Sequence, residues 1–156
     1  MIRTRCFEHR RVRGYKGFHS DLTCLGGFQY KVGATYELDR PDLLSMCNYG
    51  FHFCRRLFEV YSFYSVVMLP RICEVVGMGE VHEVVRDRVV LGKCVASRIE
   101  IVRELSHDEI FDRLEREFSS RRLSGGYGNR AAHVHDRLLR LWESDRNCII
   151  SQGGVP

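Results

Sequence analysis

The chain reads as an α+β domain: a small, twisted, mostly antiparallel sheet carrying one short helix, followed by a C-terminal helical hairpin. Three patterns predict it. Short β-type runs separated by glycines fill the first third. Residues 93 to 105 alternate with period two, Cys94, Ala96, Arg98, Glu100 and Val102 on one side and Val95, Ser97, Ile99 and Ile101 on the other. At Ser106 the period changes to that of a helix. With 156 residues, 44% of them hydrophobic, the chain has material for one domain with a buried core.

Residues 1 to 11 lack apolar periodicity and read as a basic N-terminal arm. Val12 to Phe18, Phe28 to Val32, Ala34 to Leu38 and Gly50 to Cys54 follow as strands. Arg40-Pro41-Asp42 is a turn, because proline fixes φ and biases its predecessor out of the helical region. From Arg55 to Tyr64 the apolar residues Leu57, Val60, Tyr61 and Tyr64 recur at helical spacing, giving one face of a short helix. Strands return over Arg71 to Val76, Val81 to Val85 and Val89 to Leu91, punctuated by Gly77 and Gly79. Lys93 to Leu105 is expected to be central in the sheet, and residues 12 to 105 form the β-rich domain.

Ser106-x-x-Glu109 is a capping box, in which each side chain satisfies an orphan amide at a helix start. Ile110, Phe111, Leu114 and Phe118 make that helix's buried stripe, and Ser124-Gly125-Gly126 ends it. A second helix runs from about Asn129 to Ser144, with Val134, Leu138, Leu141 and Trp142 inward. The hairpin occupies residues 106 to 150, and residues 151 to 156 are a tail.

The longest apolar run, Tyr61 to Pro70, is interrupted by serines and falls short of the ~20 residues a bilayer span needs, so no membrane association is expected. The first residues carry charge without an apolar stretch, which argues against a secretory signal and for an intracellular protein. Seven cysteines, an odd number without Cys-x-x-Cys spacing, then read as reduced thiols rather than a disulfide framework. The net charge of +4 has a location: six bases against one acid in residues 1 to 16, and near balance elsewhere. Arg3, Arg5, Arg10, Arg11 and Arg13 are therefore the candidates for phosphate contacts, against the plainer reading of a solvated terminus.

Metal and thiol chemistry find little support in spacing. Structural zinc sites pair ligands two to four residues apart, and Cys47-x6-Cys54 with Cys24 and His52 lacks that clamp, so no metal is expected. His133 and His135 point about 200° apart on a helix and cannot chelate one ion. His52 and Cys54, two apart on a strand, stand at about 6.5 Å of backbone rise, too far for direct proton transfer.

Tyr15-Lys16-Gly17-Phe18, Leu22-x-Cys24, the run from Gly27-Phe28-Gln29-Tyr30 to Tyr36, Cys47-x-x-Gly50-Phe51-His52-x-Cys54, Tyr61 with Tyr64, Arg71 with Glu74-Val75, and Val95-Ala96-Ser97 before Glu104-Leu105 occur in one order. That order resembles a small domain of unknown function found in phage, viral and bacterial proteins, sometimes appended to pentapeptide-repeat segments. The resemblance covers roughly residues 12 to 105. It implies a viral or phage-like origin with no established substrate; the chain is accordingly read as an accessory binding or interaction module without a cofactor, its partner unknown with a host protein as the candidate, and, for a virus, located in the host cytoplasm.

Tyr15-Lys16-Gly17, followed by Gly50-Phe51-His52-Phe53 and then Tyr61 and Tyr64, is also similar to the layout of ADP-ribosyltransferase folds. This second resemblance implies NAD as cofactor, with Gly17 meeting the carboxamide, His52 or Tyr64 stacking, and Tyr15, Lys16 and Tyr61 beside them. Glu74, Glu80 or Glu100 would then supply the catalytic carboxylate. Lys16 stands where those families have histidine or arginine, and His52 stands where they have tyrosine.

Overall fold

The computed structural model describes residues 2–8, 10–46, 48–65, 68–86, 89–119, 133–134 and 136–141. Among the described residues, the strands β1 (Ile2–Phe7), β2 (Val12–Phe18), β3 (Thr35–Glu37), β4 (Phe51–Cys54), β5 (Arg71–Arg86) and β6 (Val89–Glu104), all paired antiparallel, accompany the helices α1 (Leu57–Val60) and α2 (His107–Ser119). The strand order is β1-β5-β2-β4-β6-β3, and β5 also pairs with β6. The ladders β5–β2, β2–β4, β4–β6 and β6–β5 therefore form a ring, with β1 and β3 attached outside it. This is the expected α+β architecture. Among the described residues, no helix is long and apolar enough to cross a membrane.

The long β5–β6 hairpin is what makes closure possible. Its register shifts between Met78 and Val81, where Gly79 adopts φ +70° and the Glu80 amide donates to Ser97 Oγ at 3.0 Å. Such a bulge bends and twists the strand. Arg71 to Gly77 can then pair with β2 while Val81 to Arg86 pair with β1. What the sequence presents as two strands parted by glycines is one strand serving two partners, and the same holds for residues 89 to 104. The expected central position of the latter is met: β6 has β5 on one edge and β4 and β3 on the other.

Three expectations need correction. Residues 2 to 7 are an edge strand, Cys6 opposite His82 and Arg5 opposite Glu83, and not an irregular arm. Charged edge strands are a common device, because the charges discourage further pairing on the open side. Residues 28 to 32 are not a strand; a single bridge joins Gln29 to Thr23, and the segment turns so that Tyr30 enters the core, 5% exposed. The helix expected from 55 to 64 has one turn, after which residues 61 to 64 form turns.

Two apolar clusters hold the layers together. Phe18, Phe51, Phe53, Val75, Ala96 and Ile99 pack inside the ring. Leu57, Phe58, Ile72, Ile110, Leu114 and Leu138 pack the helices against its outside. The capping box forms as expected: the Ser106 amide donates to Glu109 Oε2 at 2.9 Å, and the Glu109 amide donates to Ser106 Oγ at 3.2 Å. Further along α2, Glu117 accepts the amides of Leu57 and Phe58 at 2.7 and 3.1 Å, placing a carboxylate on the orphan donors that open α1. Residues 133–134 and 136–141 are helical, with Val134 and Leu138 buried; the Ser124 to Gly126 turn, His135, Trp142 and the tail lie outside the described residues.

Candidate functional site

β2 and β4 meet at Tyr15 opposite Cys54, and the loops before β3 and β4 rise beside them. Between these elements lies a cavity of about 770 Å³, in the size range of small-molecule sites. Tyr15, Lys16, Gly17, His52 and Tyr64 all line it. Five of the six ligand-contact residues expected from sequence are thus gathered in one place.

Gly17 earns its position by close approach. A Cβ there would lie 2.7 Å from both Tyr64 and Val60, so a side chain would push the Tyr64 ring away. The aromatic wall is continuous: the Phe28 ring lies 4.7 Å from Tyr30 and 5.4 Å from Tyr36, both edge-on. Phe28, Tyr30, Tyr36 and Lys93 are lining residues that sequence reasoning did not assign to the site. The spacing Phe28-x-Tyr30 with Tyr36 was the visible signal, read there as strand.

Lys16 is the unusual group. It is 8% exposed, its Nζ donates to the His52 carbonyl at 2.7 Å, and it sits 5.2 Å from the Tyr30 ring centroid and 5.8 Å from that of Phe18. No carboxylate pairs with it among the described residues. Burial pulls its pKa below the ordinary lysine value. His52 is depressed to about 4, first by burial and then by the charges of Lys16 and Lys93, so its imidazole is neutral at physiological pH. Burial pushes Tyr64 up to about 12 and Cys54 up to about 12. The Cys54 thiol therefore stays protonated and is a poor nucleophile. The pocket offers π faces, neutral hydrogen-bonding groups, the Lys16 and Lys93 cations, and two exposed carboxylates, Glu37 and Asp39.

The remaining expected residues lie elsewhere. Tyr61 lines a separate cavity of about 170 Å³ with Phe58, His133 and Arg137. Glu74 accepts from Arg103 and Arg113, each at 2.7 Å. Glu80 is hydrogen-bonded to His82 at 2.6 Å, and Glu100 to Arg11 at 3.0 Å. None of the three glutamates reaches the pocket; the carboxylates that line it are Glu37 and Asp39, both exposed. Alternation explains why for Glu74 and Glu100: their neighbours Val75, Ile99 and Ile101 pack inside the ring, so the two glutamates emerge on its outer face. Arg5, Arg10, Arg11 and Arg13 are exposed along β1 and the start of β2, Arg11 being held by Glu100, while the Arg3 side chain and Cys47 lie outside the described residues.

Residues 12–113 match the model of a family described as a domain of unknown function (DUF7666), a stretch running from the first residue of β2 into α2 and taking in every residue of the ring. No curated protein and no solved structure matches the chain.

Proposed function

We propose that this chain, which belongs to the DUF7666 family, is a binding module whose pocket takes a planar, anionic small molecule of the nucleotide class. The observation that carries this reading is Lys16. A buried ammonium is costly unless an opposite charge compensates it, and here its neighbours are a carbonyl and two aromatic faces. A phosphate or carboxylate entering the cavity supplies that charge, and the Phe28, Tyr30 and Tyr36 rings accept a flat base. Gly17 lets the Tyr64 ring lie close against β2 at the pocket wall.

NAD has both a planar base and phosphate charge and belongs to the ligand class. Transfer of ADP-ribose is not part of the reading, since Glu74, Glu80 and Glu100 are engaged away from the pocket. An accessory role in a virus or phage, with a host protein as partner, is supported only by the motif resemblance. Phosphate binding by Arg5, Arg10 and Arg13 is supported by the exposure of their side chains.

The experiment is a thermal-shift and calorimetric titration with AMP, ATP, ADP-ribose and NAD, beside adenosine and inorganic phosphate. Saturating ligand at 100 times its Kd adds about 2.7 kcal/mol of stability. A nucleotide should shift the wild type and leave Lys16→Met unmoved. A Lys16→Met variant that is folded and binds as well as the wild type overturns the reading, as does a wild type that binds none of the panel.

A further inference from the structure

We propose that Cys6, Glu80 and His82 form a three-ligand zinc site on the β1–β5 ladder. None of the three lines the pocket, and the site is independent of the binding function proposed above. Cys6 and His82 are direct partners across the ladder. Glu80 precedes His82 by two residues, so on a strand its side chain emerges on the same face. The bulge beside it is anchored by Gly79 and by the bond from the Glu80 amide to Ser97, which fixes where that carboxylate leaves the backbone.

The distances suit a cation. Cys6 Sγ lies 3.6 Å from Glu80 Oε1, His82 Nε2 lies 2.6 Å from the same oxygen, and the three ligand atoms are all within 4.8 Å of one another. Bonds of about 2.0 to 2.3 Å in a tetrahedron separate ligands by about 3.5 Å. Cys6 and Glu80 are already so spaced. The His82–Glu80 contact lengthens by less than about an ångström when a metal replaces the hydrogen between them.

The donor set selects the metal. A thiolate, an imidazole and a carboxylate favour zinc over magnesium or calcium, which prefer oxygen alone. With the Cys6 and Glu80 anions and a neutral imidazole, the site carries two negative charges against two on the ion. Binding forms the Zn–S bond as the thiol proton leaves to solvent. A divalent cation between the Cys6 sulfur and the Glu80 carboxylate, 3.6 Å apart, offsets the repulsion of the two anions. Cys6 is exposed, which leaves the fourth coordination position open to water. Glu80-x-His82 is visible in sequence, but its third member comes from an edge strand far away along the chain.

The test uses the full chain, reduced and freed of metal with a chelator, titrated with zinc against a chromogenic competitor and separately with cobalt. One equivalent of zinc should bind, and the cobalt form should show thiolate-to-metal charge-transfer absorption. Cys6→Ser should abolish that absorption, and Cys6→Ser and His82→Ala should each weaken zinc at least ~10-fold, the loss typical even of outer-shell changes. Cys24→Ser, which removes a half-buried thiol from the pocket lining, should leave both readouts unchanged. Absence of stoichiometric zinc in the wild type, or equal binding in the wild type and Cys6→Ser, overturns the proposal. Should His82→Ala not fold, Cys6→Ser decides alone, since the Cys6 side chain is exposed and contributes nothing to either core cluster.

Discussion

Glu59→Gln should flatten the stability of the protein as a function of pH. Glu59 is 5% exposed in α1; one carboxylate oxygen accepts the Arg56 amide at 3.2 Å, and the other, among the described residues, has no hydrogen-bond partner. Burial, reinforced by the nearby Glu117 and Glu83 carboxylates and opposed by Arg56, raises its pKa from 4.5 to about 8. A carboxyl with a raised folded pKa binds its proton more tightly folded than unfolded. Its contribution to stability is therefore full below about pH 4.5 and is lost as pH rises through about 8. At about 1.4 kcal/mol per pH unit, the interval corresponds to at most roughly 5 kcal/mol, and structural relaxation brings an expected 2 to 4, again roughly. The assay is urea denaturation of both proteins at about pH 5, 7 and 9, read as the difference between them, so that groups shared by both cancel. The variant should gain on the wild type as pH rises. Parallel stability curves, differing by a constant within about 0.5 kcal/mol, would refute the assignment of a buried, protonated Glu59.

The remaining predictions concern packing, closure and the buried cation. Phe53→Ala, deep inside the ring at 3% exposure, should cost about 3 to 5 kcal/mol in chemical denaturation. Gly79→Val should destabilise by more than about 1 kcal/mol, because φ is +70° there and the new Cβ would collide with Ser97 Oγ; a neutral result would show that the bulge is dispensable. Deleting residues 1 to 8 should lower the melting temperature and bring concentration-dependent association in size-exclusion chromatography, since Val81 to Arg86 would become an open edge. Lys16→Met, which places an apolar side chain where a charge is desolvated, should raise the stability of the ligand-free protein by about 1 kcal/mol or more while removing nucleotide binding.

The fold class and several elements were legible in the chain because their signals are local. Val12 to Phe18 is bounded as expected, and Ser106 with Glu109 forms the reciprocal cap, since a helix start needs its orphan amides satisfied within one turn. The aromatic and glycine motifs around Tyr15, Gly17 and His52 do converge on one cavity. Strand pairing, by contrast, is a property of partners. Ile2 to Phe7 shows no periodicity that marks it as a strand, and becomes one because the bulge at Gly79 leaves an edge of β5 unpaired. Glycines that normally punctuate here permit one long strand to change neighbours. Tertiary structure also separated residues that motif spacing had joined: Glu74, Glu80 and Glu100 found arginine or histidine partners away from the pocket, whereas Phe28, Tyr30 and Lys93 entered it. Local patterning sets which face of each element is apolar; only the closed ring decides which faces enclose a cavity and which side chains are left charged inside it.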